Sequence, residues 1–206
     1  MPYSPLHKQK TRTRIVRAAR KLFNVRGFSD VSISEIMSEA GLTHGGFYKH
    51  FERKEDLYKE AVLEFIQQDM PDAWQQKYVD PTQAGPALAR MILDAYLSDE
   101  HFVDRDASCP MIALPSDVQR GNPGVKDAFR QVMEMMVGAF AANLEPSSRP
   151  ARQRALALVS MAVGAMVLAR AVEDPALGKE IRESARNEAY ARPGWGLADA
   201  VAEAAQ

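Results

Sequence analysis

The feature that most constrains the fold is a helical pattern of apolar residues close to the start of the chain. Between Ile15 and Phe23, apolar residues fall at i, i+3, i+4, i+7 and i+8. This period gives a helix one apolar stripe, so we predict a helix from about Lys8 to Arg26 that packs one face against a core. Gly27 follows as a stop signal.

Two shorter helices are predicted directly after this one. Ser32 and Glu35 have the spacing of a capping box, so a second helix of about two turns should begin there and end at Gly41. Thr43 is a good N-cap for a third short helix that ends near Phe51. Three helices with a glycine turn between the last two form the helix-turn-helix arrangement.

The rest of the chain also predicts helices, and no segment has the alternation of a strand. The predicted fold class is therefore all-α. The segment 98–123, which contains prolines and several acids, should form short helices and loops. The longer predicted helices run from Lys54 to about Tyr78 with a kink at Pro71, from Gln83 to Leu97 after a Thr82 cap, over 125–144, 149–172 and 176–190, and briefly after Gly194.

Charge divides the chain into two parts. Residues 1–54 contain eleven Lys and Arg against four acids, a net charge of +7, and the remainder has fifteen against twenty-three, a net charge of −8. A basic head favours a polyanionic partner, because cations near phosphates release condensed counterions. The alternative is that these charges simply solvate one face of a helix.

Several classes of protein are disfavoured by what the sequence lacks. The single cysteine, Cys109, excludes an internal disulfide framework. The start of the chain does not resemble a secretory signal, and the apolar stretch from Ala155 to Ala169 is short and interrupted, so we expect a cytoplasmic protein without a membrane partner. We find no nucleophile elbow, phosphate-binding glycine loop or zinc-protease motif, so we expect neither an enzyme nor a cofactor. A catalytic pair of distant residues stays an alternative.

One segment resembles a known family. The run from Ile33 to Phe51, ISEIMSEAGLTHGGFYKHF, followed by Lys54-Glu55-Asp56-Leu57, is similar to the signature of the TetR (tetracycline-repressor) family, and the resemblance covers about fifty residues. It implies a helix-turn-helix DNA-binding domain over residues 1–54 and a helical ligand-binding and dimerisation domain over 55–206. It also implies a ligand-responsive transcriptional regulator, by family expectation a repressor.

The resemblance also indicates which side chains meet DNA. Thr43, Gly45 and Gly46 are expected to face the groove, and Tyr48, His50 and Lys54 to contact backbone phosphates. The other candidates are Lys10, Thr11 and Arg12 of the N-terminal arm, Ser32, and the polar groups of His44 and Lys49. Each has a purely structural alternative: Thr43 could be only a cap, Tyr48 a packing residue and Lys54 a surface charge. Arg53 departs from the family, which often has a small capping residue there.

A dimer is expected, because one head with few phosphate contacts would bind weakly. The helices near 150–172 and 176–190 are the best candidates for its interface, since the first is apolar almost all round. A near-palindromic operator should follow. The alternative is that the apolar helix is the centre of a monomeric core.

The chain has ten methionines, and several fall where the body helices should converge. With aromatic residues they predict an apolar pocket for a small-molecule effector, although ordinary core packing explains any one of them equally well. The candidates are Trp74, Met91, Tyr96, Phe102, Cys109, Met111, Phe129, Met133, Met136 and Met166.

Two further hypotheses concern the segment around Cys109. Some members of the family use a cysteine in such a segment to sense electrophiles, but a buried inert thiol is the alternative. His101 with Asp104 and Asp106 could bind a metal, but their spacing matches no strong motif, and a solvated acidic loop is favoured. A nonspecific architectural DNA-binding protein is the second rival to the regulator, and the acidic body disfavours it.

Overall fold

The computed structural model describes residues 5–67, 80 and 82–197, and every regular element in these ranges is a helix. An all-α fold is therefore confirmed. The elements in chain order are α1 (Pro5–Arg26), α2 (Ile33–Glu39), a 3₁₀ helix (His44–Lys49), α3 (Lys54–Gln67), α4 (Gly85–Tyr96), α5 (Asp99–Val103), α6 (Pro110–Ala113), α7 (Pro115–Arg120), α8 (Pro123–Ala141), α9 (Ala151–Ala171) and α10 (Pro175–Ala191).

The first helix has the predicted buried face. Ile15 and Phe23 are fully buried, and Ala18 and Ala19 lie beside them in the core. The helix ends at Arg26 because Gly27 adopts a left-handed conformation with φ of 80°, which a residue with a side chain rarely adopts.

The second helix is also as predicted. The Ser32 hydroxyl accepts a hydrogen bond from the Glu35 N–H at 3.2 Å, and the Glu35 carboxylate accepts from the Ser32 N–H at 2.8 Å. This is a complete capping box. Gly41, with φ of 62°, follows the last turn in the left-handed conformation.

The third helix differs from the prediction of about two α-helical turns, because residues 44–49 form a 3₁₀ helix. Gly45 and Gly46 lower the stability of an α-helix, and the tighter turn suits a short segment held by its neighbours. Thr43 occupies the N-cap position as predicted, but its side chain makes no capping hydrogen bond.

The chain divides into two compact units. The first consists of residues 1–68 and 104–133, so it is discontinuous in sequence. Within it, Asn24 donates to the carbonyls of Asp106 and Ser108, both at 3.0 Å, and Asp117 accepts from the Phe28 N–H at 2.8 Å. These bonds hold the 104–121 segment to the end of α1 and the following turn. The functional boundary at residue 54 stays a prediction.

The second unit consists of residues 69–103 and 134–206. In it α9 and α10 pack against each other, and α10 contacts the end of α4 through Arg182, whose guanidinium donates to the Leu97 carbonyl at 2.9 Å. Arg182 also donates to Asp99 at 2.6 Å. The end of α4 therefore has a buried cation as its hydrogen-bond donor, which satisfies a carbonyl that the helix leaves open.

Some predicted boundaries are wrong by a few residues, and one predicted cap is wrong. The N-cap of α4 is Ala84, two residues after Thr82, whose hydroxyl donates instead to Asp80 at 2.6 Å. The predicted kink at Pro71, the continuation to Tyr78 and the short terminal helix lie outside the described residues.

One helix in the described ranges, α9, is long and apolar enough to cross a membrane by length and composition. Eight of its residues, Leu158 and Met166 among them, are buried inside the protein. Since the core helix of a soluble protein has the same properties, this is weak evidence for a membrane span.

Candidate nucleic-acid interface

The 3₁₀ helix is fixed from its inner side by aromatic packing. Phe47 is fully buried and its ring centroid lies 5.6 Å from that of Phe51, which is 3% exposed. A Cβ atom added to Gly46 would lie 3.3 Å from Cε of Met37 in α2, so the backbone approaches that helix closely. Tertiary packing therefore holds a segment whose own helix propensity is poor.

The outer side of the same helix is polar and exposed. The Tyr48 side chain is 62% exposed although its ring packs edge-on against Phe47, at a centroid distance of 5.2 Å. The other exposed candidates here are Thr43, His44, Gly45 and Lys49. A Cβ atom added to Gly45 would meet nothing within 4 Å. The structure thus leaves a hydroxyl, an imidazole, a phenol and an ammonium group exposed on this short segment, with the ring centroids of His44 and Tyr48 6.2 Å apart.

Ser32 lies at the start of α2, where its side chain is engaged in the capping box. Its hydroxyl donates to Glu35 at 2.7 Å, and Arg26 donates to the other carboxylate oxygen at 2.8 Å. The hydrogen bonds from Ser32, followed by that from Arg26, lower the pKa of Glu35 from 4.5 to about 2. The Glu35 carboxylate therefore stays charged at neutral pH and can accept both hydrogen bonds from Ser32.

The N-terminal arm is part of α1 in its described portion. Lys10 is exposed and Thr11 is half-buried. Arg12 is half-buried, and its guanidinium contacts Glu60 of α3, the His50 carbonyl and the Phe51 ring. Of these three predicted contacts with DNA, Lys10 is the most accessible.

His50 and Lys54 are both partly buried. Burial, followed by the positive charge of Arg12, lowers the pKa of His50. The Lys54 ammonium donates to the Phe28 carbonyl and lies 4.2 Å from the centroid of the Phe28 ring. Burial also lowers the pKa of Lys54. Their predicted phosphate contacts stay predictions, and Lys54 already has an internal role.

Much of the basic charge of α1 is paired within the first unit. Arg20 and Arg17 contact Glu64 at 2.9 and 3.2 Å, and Lys21 contacts Glu39 at 2.8 Å. The side chains of Arg20 and Glu64 are 10% and 8% exposed. Because Glu60 and Glu64 lie outside residues 1–54, the net charge of +7 overstates the positive charge that this unit presents to a polyanion. The sequence did not indicate these two acids because their arginine partners are far away in the chain.

The predicted effector residues are divided between the two units. Cys109, Met111, Phe129 and Met133 belong to the first unit, and Met91, Tyr96, Phe102, Met136 and Met166 to the second. Trp74 lies outside the described residues. Cys109 and Met166 are fully buried, as core residues also are. The effector pocket stays a prediction.

No group of three or more His, Cys, Asp or Glu residues that could hold a metal ion occurs in the described ranges. His101 is 6% exposed, and its Nδ1 lies 2.7 Å from the Tyr96 carbonyl oxygen. Asp104 accepts from the Ala107 N–H at 3.0 Å and so closes a turn.

The helices α1 and α2 and the 3₁₀ helix pack in succession, and the 3₁₀ helix has a buried aromatic residue and exposed polar residues; this is the arrangement of a helix-turn-helix domain. Residues 15–61 match the family model described as "Bacterial regulatory proteins, tetR family". The N-terminal part of this chain is therefore similar to the TetR family of bacterial regulatory proteins, and the match covers residues 15–61 of 206.

Similar proteins include two curated regulators. The chain is 41% identical over 56 residues to the uncharacterized HTH-type transcriptional regulator YdgC of Bacillus subtilis, a match that covers 27% of this chain and 29% of the relative. It is 44% identical over 52 residues to the HTH-type transcriptional regulator AcrR of Shigella flexneri, covering 25% and 24%. The matches thus span less than a third of these relatives.

The fold is similar over a greater length to solved structures. A TetR transcriptional regulator from Chloroflexus aurantiacus has a TM-score of 0.71 and 23% identity, with 90% of this chain and 97% of that chain covered. At this level of identity the similarity shows the fold alone.

Proposed function

We propose that this protein is a transcriptional repressor that binds a near-palindromic DNA operator as a homodimer and is released by a small-molecule effector. The observation that carries the proposal is the exposed polar face of the 3₁₀ helix on a packed helix-turn-helix domain. Thr43 and Gly45 are its groove-facing residues, and Tyr48 and Lys49 contact the flanking phosphates.

The homodimer is supported by exposed apolar side chains on α9 and α10. Leu168 is 59% exposed and Leu177 is 41% exposed, with Val167 beside them at 36%. Apolar groups on these two packed helices lose contact with water when a second copy covers them. Sedimentation equilibrium of the full chain tests this, and Leu168→Glu should shift the protein towards monomer while a monomeric wild type would refute it.

The effector is proposed to be a small apolar molecule that favours one of two conformations of the body. The methionines and aromatic residues named above are its candidate contacts. An electrophilic effector is a narrower hypothesis that rests on Cys109, whose thiol is fully buried. Cys109→Ser should abolish the response of DNA binding to an alkylating compound, and an unchanged dose response would remove this hypothesis.

The test of the central proposal is selection of genomic fragments by the purified full-length protein. A gel-shift titration of the enriched duplex against a scrambled duplex, at near-physiological salt, then measures the preference. Enrichment of a near-palindrome bound by two copies supports the proposal. If no sequence is enriched, the specific-regulator function is wrong, and a nonspecific DNA-binding protein or an enzyme takes its place.

A further inference from the structure

Arg12 links three parts of the first unit through one guanidinium group. Nε donates to Oε2 of Glu60 at 3.0 Å and one terminal nitrogen donates to Oε1 of the same carboxylate, which makes a two-point ion pair between α1 and α3. The other terminal nitrogen donates to the His50 carbonyl. The guanidinium carbon also lies 4.0 Å from the centroid of the Phe51 ring. All three nitrogens are engaged by the protein itself.

These contacts meet the 3₁₀ helix at its end. His50 is the C-cap residue, and its N–H donates to the Phe47 carbonyl at 2.8 Å. Its own carbonyl is one of the acceptors that a helix end leaves without an internal donor. Arg12 supplies that donor, and the stacked Phe51 ring fixes the direction in which the chain leaves the helix.

An external anchor matters here because the segment cannot order itself. The 3₁₀ helix has six residues, two of them glycine, and isolated helices of this length are not stable in water. Side-chain donors must be held at the edges of base pairs for a preference between sequences to arise. A small rotation of this helix would misplace Thr43 and Tyr48 together.

We propose that Arg12, oriented by Glu60, is a positioning residue that does not contact phosphate. It sets the orientation of the 3₁₀ helix, here called the recognition helix, through His50 and Phe51. The orientation of this helix in turn determines the preference for one DNA sequence. This inference rests on the proposed DNA-binding function. A planar guanidinium with five N–H donors in a fixed fork suits this combination of a carboxylate, a carbonyl and a ring face, which an ammonium group cannot replace.

Glu60→Gln tests the proposal because the two possible roles of Arg12 predict opposite changes in DNA affinity. Glu60 is an acid, so it cannot attract phosphate, and Glu60→Gln removes a negative charge from the DNA-binding unit. If Arg12 were a phosphate contact, freeing it from Glu60 would leave DNA binding as tight or tighter. If Arg12 positions the helix, Glu60→Gln weakens binding to the preferred sequence although the unit becomes more basic.

The experiment uses the full-length wild type, Arg12→Lys and Glu60→Gln. Each protein is titrated with the duplex that the wild type enriches and with its scrambled counterpart, at several salt concentrations. The fraction of each preparation that can bind DNA is measured first.

For both variants we expect the affinity for the enriched duplex to fall by up to about fivefold, the usual upper contribution of an ion pair whose side chains are about a third exposed. For Arg12→Lys the affinity for the scrambled duplex and its dependence on salt should stay as in the wild type. For Glu60→Gln, which leaves the unit more basic, the affinity for the scrambled duplex should stay the same or rise slightly. A third variant, Arg12→Gln, removes the charge itself: if Arg12 contacted phosphate, this variant would lower the salt slope by about 0.9 on both duplexes.

Matched controls are Arg14→Lys on the exposed side of α1 and Glu52→Gln, which removes one exposed acid from the same unit. Neither should change the ratio of the two affinities. Tighter or unchanged binding of Glu60→Gln to the enriched duplex would overturn the inference, as would an equal loss on both duplexes, which marks a merely structural role.

A second measurement does not depend on DNA. Amide hydrogen exchange of the free protein should be faster at His50 and Phe51 in Arg12→Lys and Glu60→Gln than in the wild type, with α2 unchanged. Equal exchange rates would overturn the positioning role. If the wild type enriched no sequence, the proposed function would fail, and the exchange measurement alone would decide whether Arg12 orders this segment.

Discussion

Two short segments of this protein are held by arginines, but they differ in which of their side chains the protein itself engages. In residues 43–51, which contain the recognition helix, Arg12 donates to the His50 carbonyl, while Thr43, His44, Tyr48 and Lys49 stay exposed. In the second unit, at the segment of residues 97–103, which includes α5, Arg182 and Arg186 donate to the Leu97 carbonyl at 2.9 and 3.1 Å, and Arg170 donates to the carbonyls of His101 and Phe102 at 2.6 and 3.2 Å.

A surface that can bind a partner and a segment that only stabilises the fold differ in where their polar side chains lie. Both segments satisfy the backbone acceptors that helix ends leave open. In the 97–103 segment the side chains of His101 and Phe102 are also engaged, since the Phe102 ring lies 4.4 Å from the Arg182 guanidinium and His101 contacts Tyr96, whereas Asp99, Glu100 and Val103 stay exposed. In the recognition helix the backbone is fixed and the outward groups remain accessible to a partner. Changes to the contacts of the 97–103 segment should therefore lower the free energy of unfolding, and changes on the recognition helix should lower the affinity for DNA.

The largest expected effect is that of Arg182→Met. The Arg182 side chain is 6% exposed, and its removal leaves the buried Leu97 carbonyl with fewer donors. We expect a loss of roughly 2–3 kcal/mol in the free energy of unfolding. Urea denaturation at a fixed protein concentration measures it. Lys179→Met, an exposed change on the same helix, is the control. Equal stability of the two variants would show that Arg182 does not stabilise the 97–103 segment.

The next largest effect is that of Gly45→Ala on DNA binding. A Cβ atom here meets nothing within 4 Å, so stability should be unchanged or slightly higher, because alanine favours a helix. Affinity for the enriched duplex should fall roughly tenfold, because the backbone can no longer approach the groove closely. Gly138→Ala is matched to it, since that exposed glycine in α8 also has open space. A loss of affinity in both variants would argue against groove contact at Gly45.

A smaller effect is expected for Tyr48→Phe. The ring keeps its packing against Phe47, so stability should not change, whereas the exposed hydroxyl is lost. If the hydroxyl meets phosphate, affinity should fall about fivefold, a hydrogen bond's usual net contribution, and equally on enriched and scrambled duplexes. Gel-shift titration of both duplexes measures this. Loss confined to the enriched duplex would show base recognition instead.

The smallest effect is a dependence of stability on pH at the start of α2. The pKa of Glu35 is lowered to about 2 in the folded protein from 4.5, so its contribution is complete above pH 4.5 and is lost as the pH falls towards 2. The difference in unfolding free energy between the wild type and Glu35→Gln should therefore shrink over this range. In a Ser32→Ala background, which lacks the main hydrogen-bond donor, the shrinkage should be weaker. Equal pH profiles in the two backgrounds would contradict the assignment.

The elements that the sequence predicted well depend on neighbours a few residues apart. The buried stripe from Ile15 to Phe23 and the capping box of Ser32 with Glu35 are local patterns, and the structure confirms both. The resemblance to the TetR family covers the recognition helix, so the sequence also indicated residues there that the structure leaves exposed, such as Thr43, Gly45 and Tyr48.

The elements that it missed depend on distant partners or on competing local terms. The pair of Arg12 with Glu60 joins residues 48 positions apart, and nothing near either residue indicates the other. The 3₁₀ form of residues 44–49 results from a balance between glycine entropy and packing on Met37 and Phe51, which a pattern of residue types does not weigh. The Thr82 cap failed because Asp80 competes for its hydroxyl.

The discontinuity of the first unit has a practical consequence for engineering chimeric regulators. A single crossover after the helix-turn-helix would transplant residues 1–54 without the 104–133 segment, which the compact unit includes. The donor head would lose the partners of Asn24 and the carboxylate of Asp117 that accepts from the Phe28 N–H. A graft that keeps the native surroundings of α1 has to exchange two separate stretches of sequence together, with the first junction near residue 68 rather than 54.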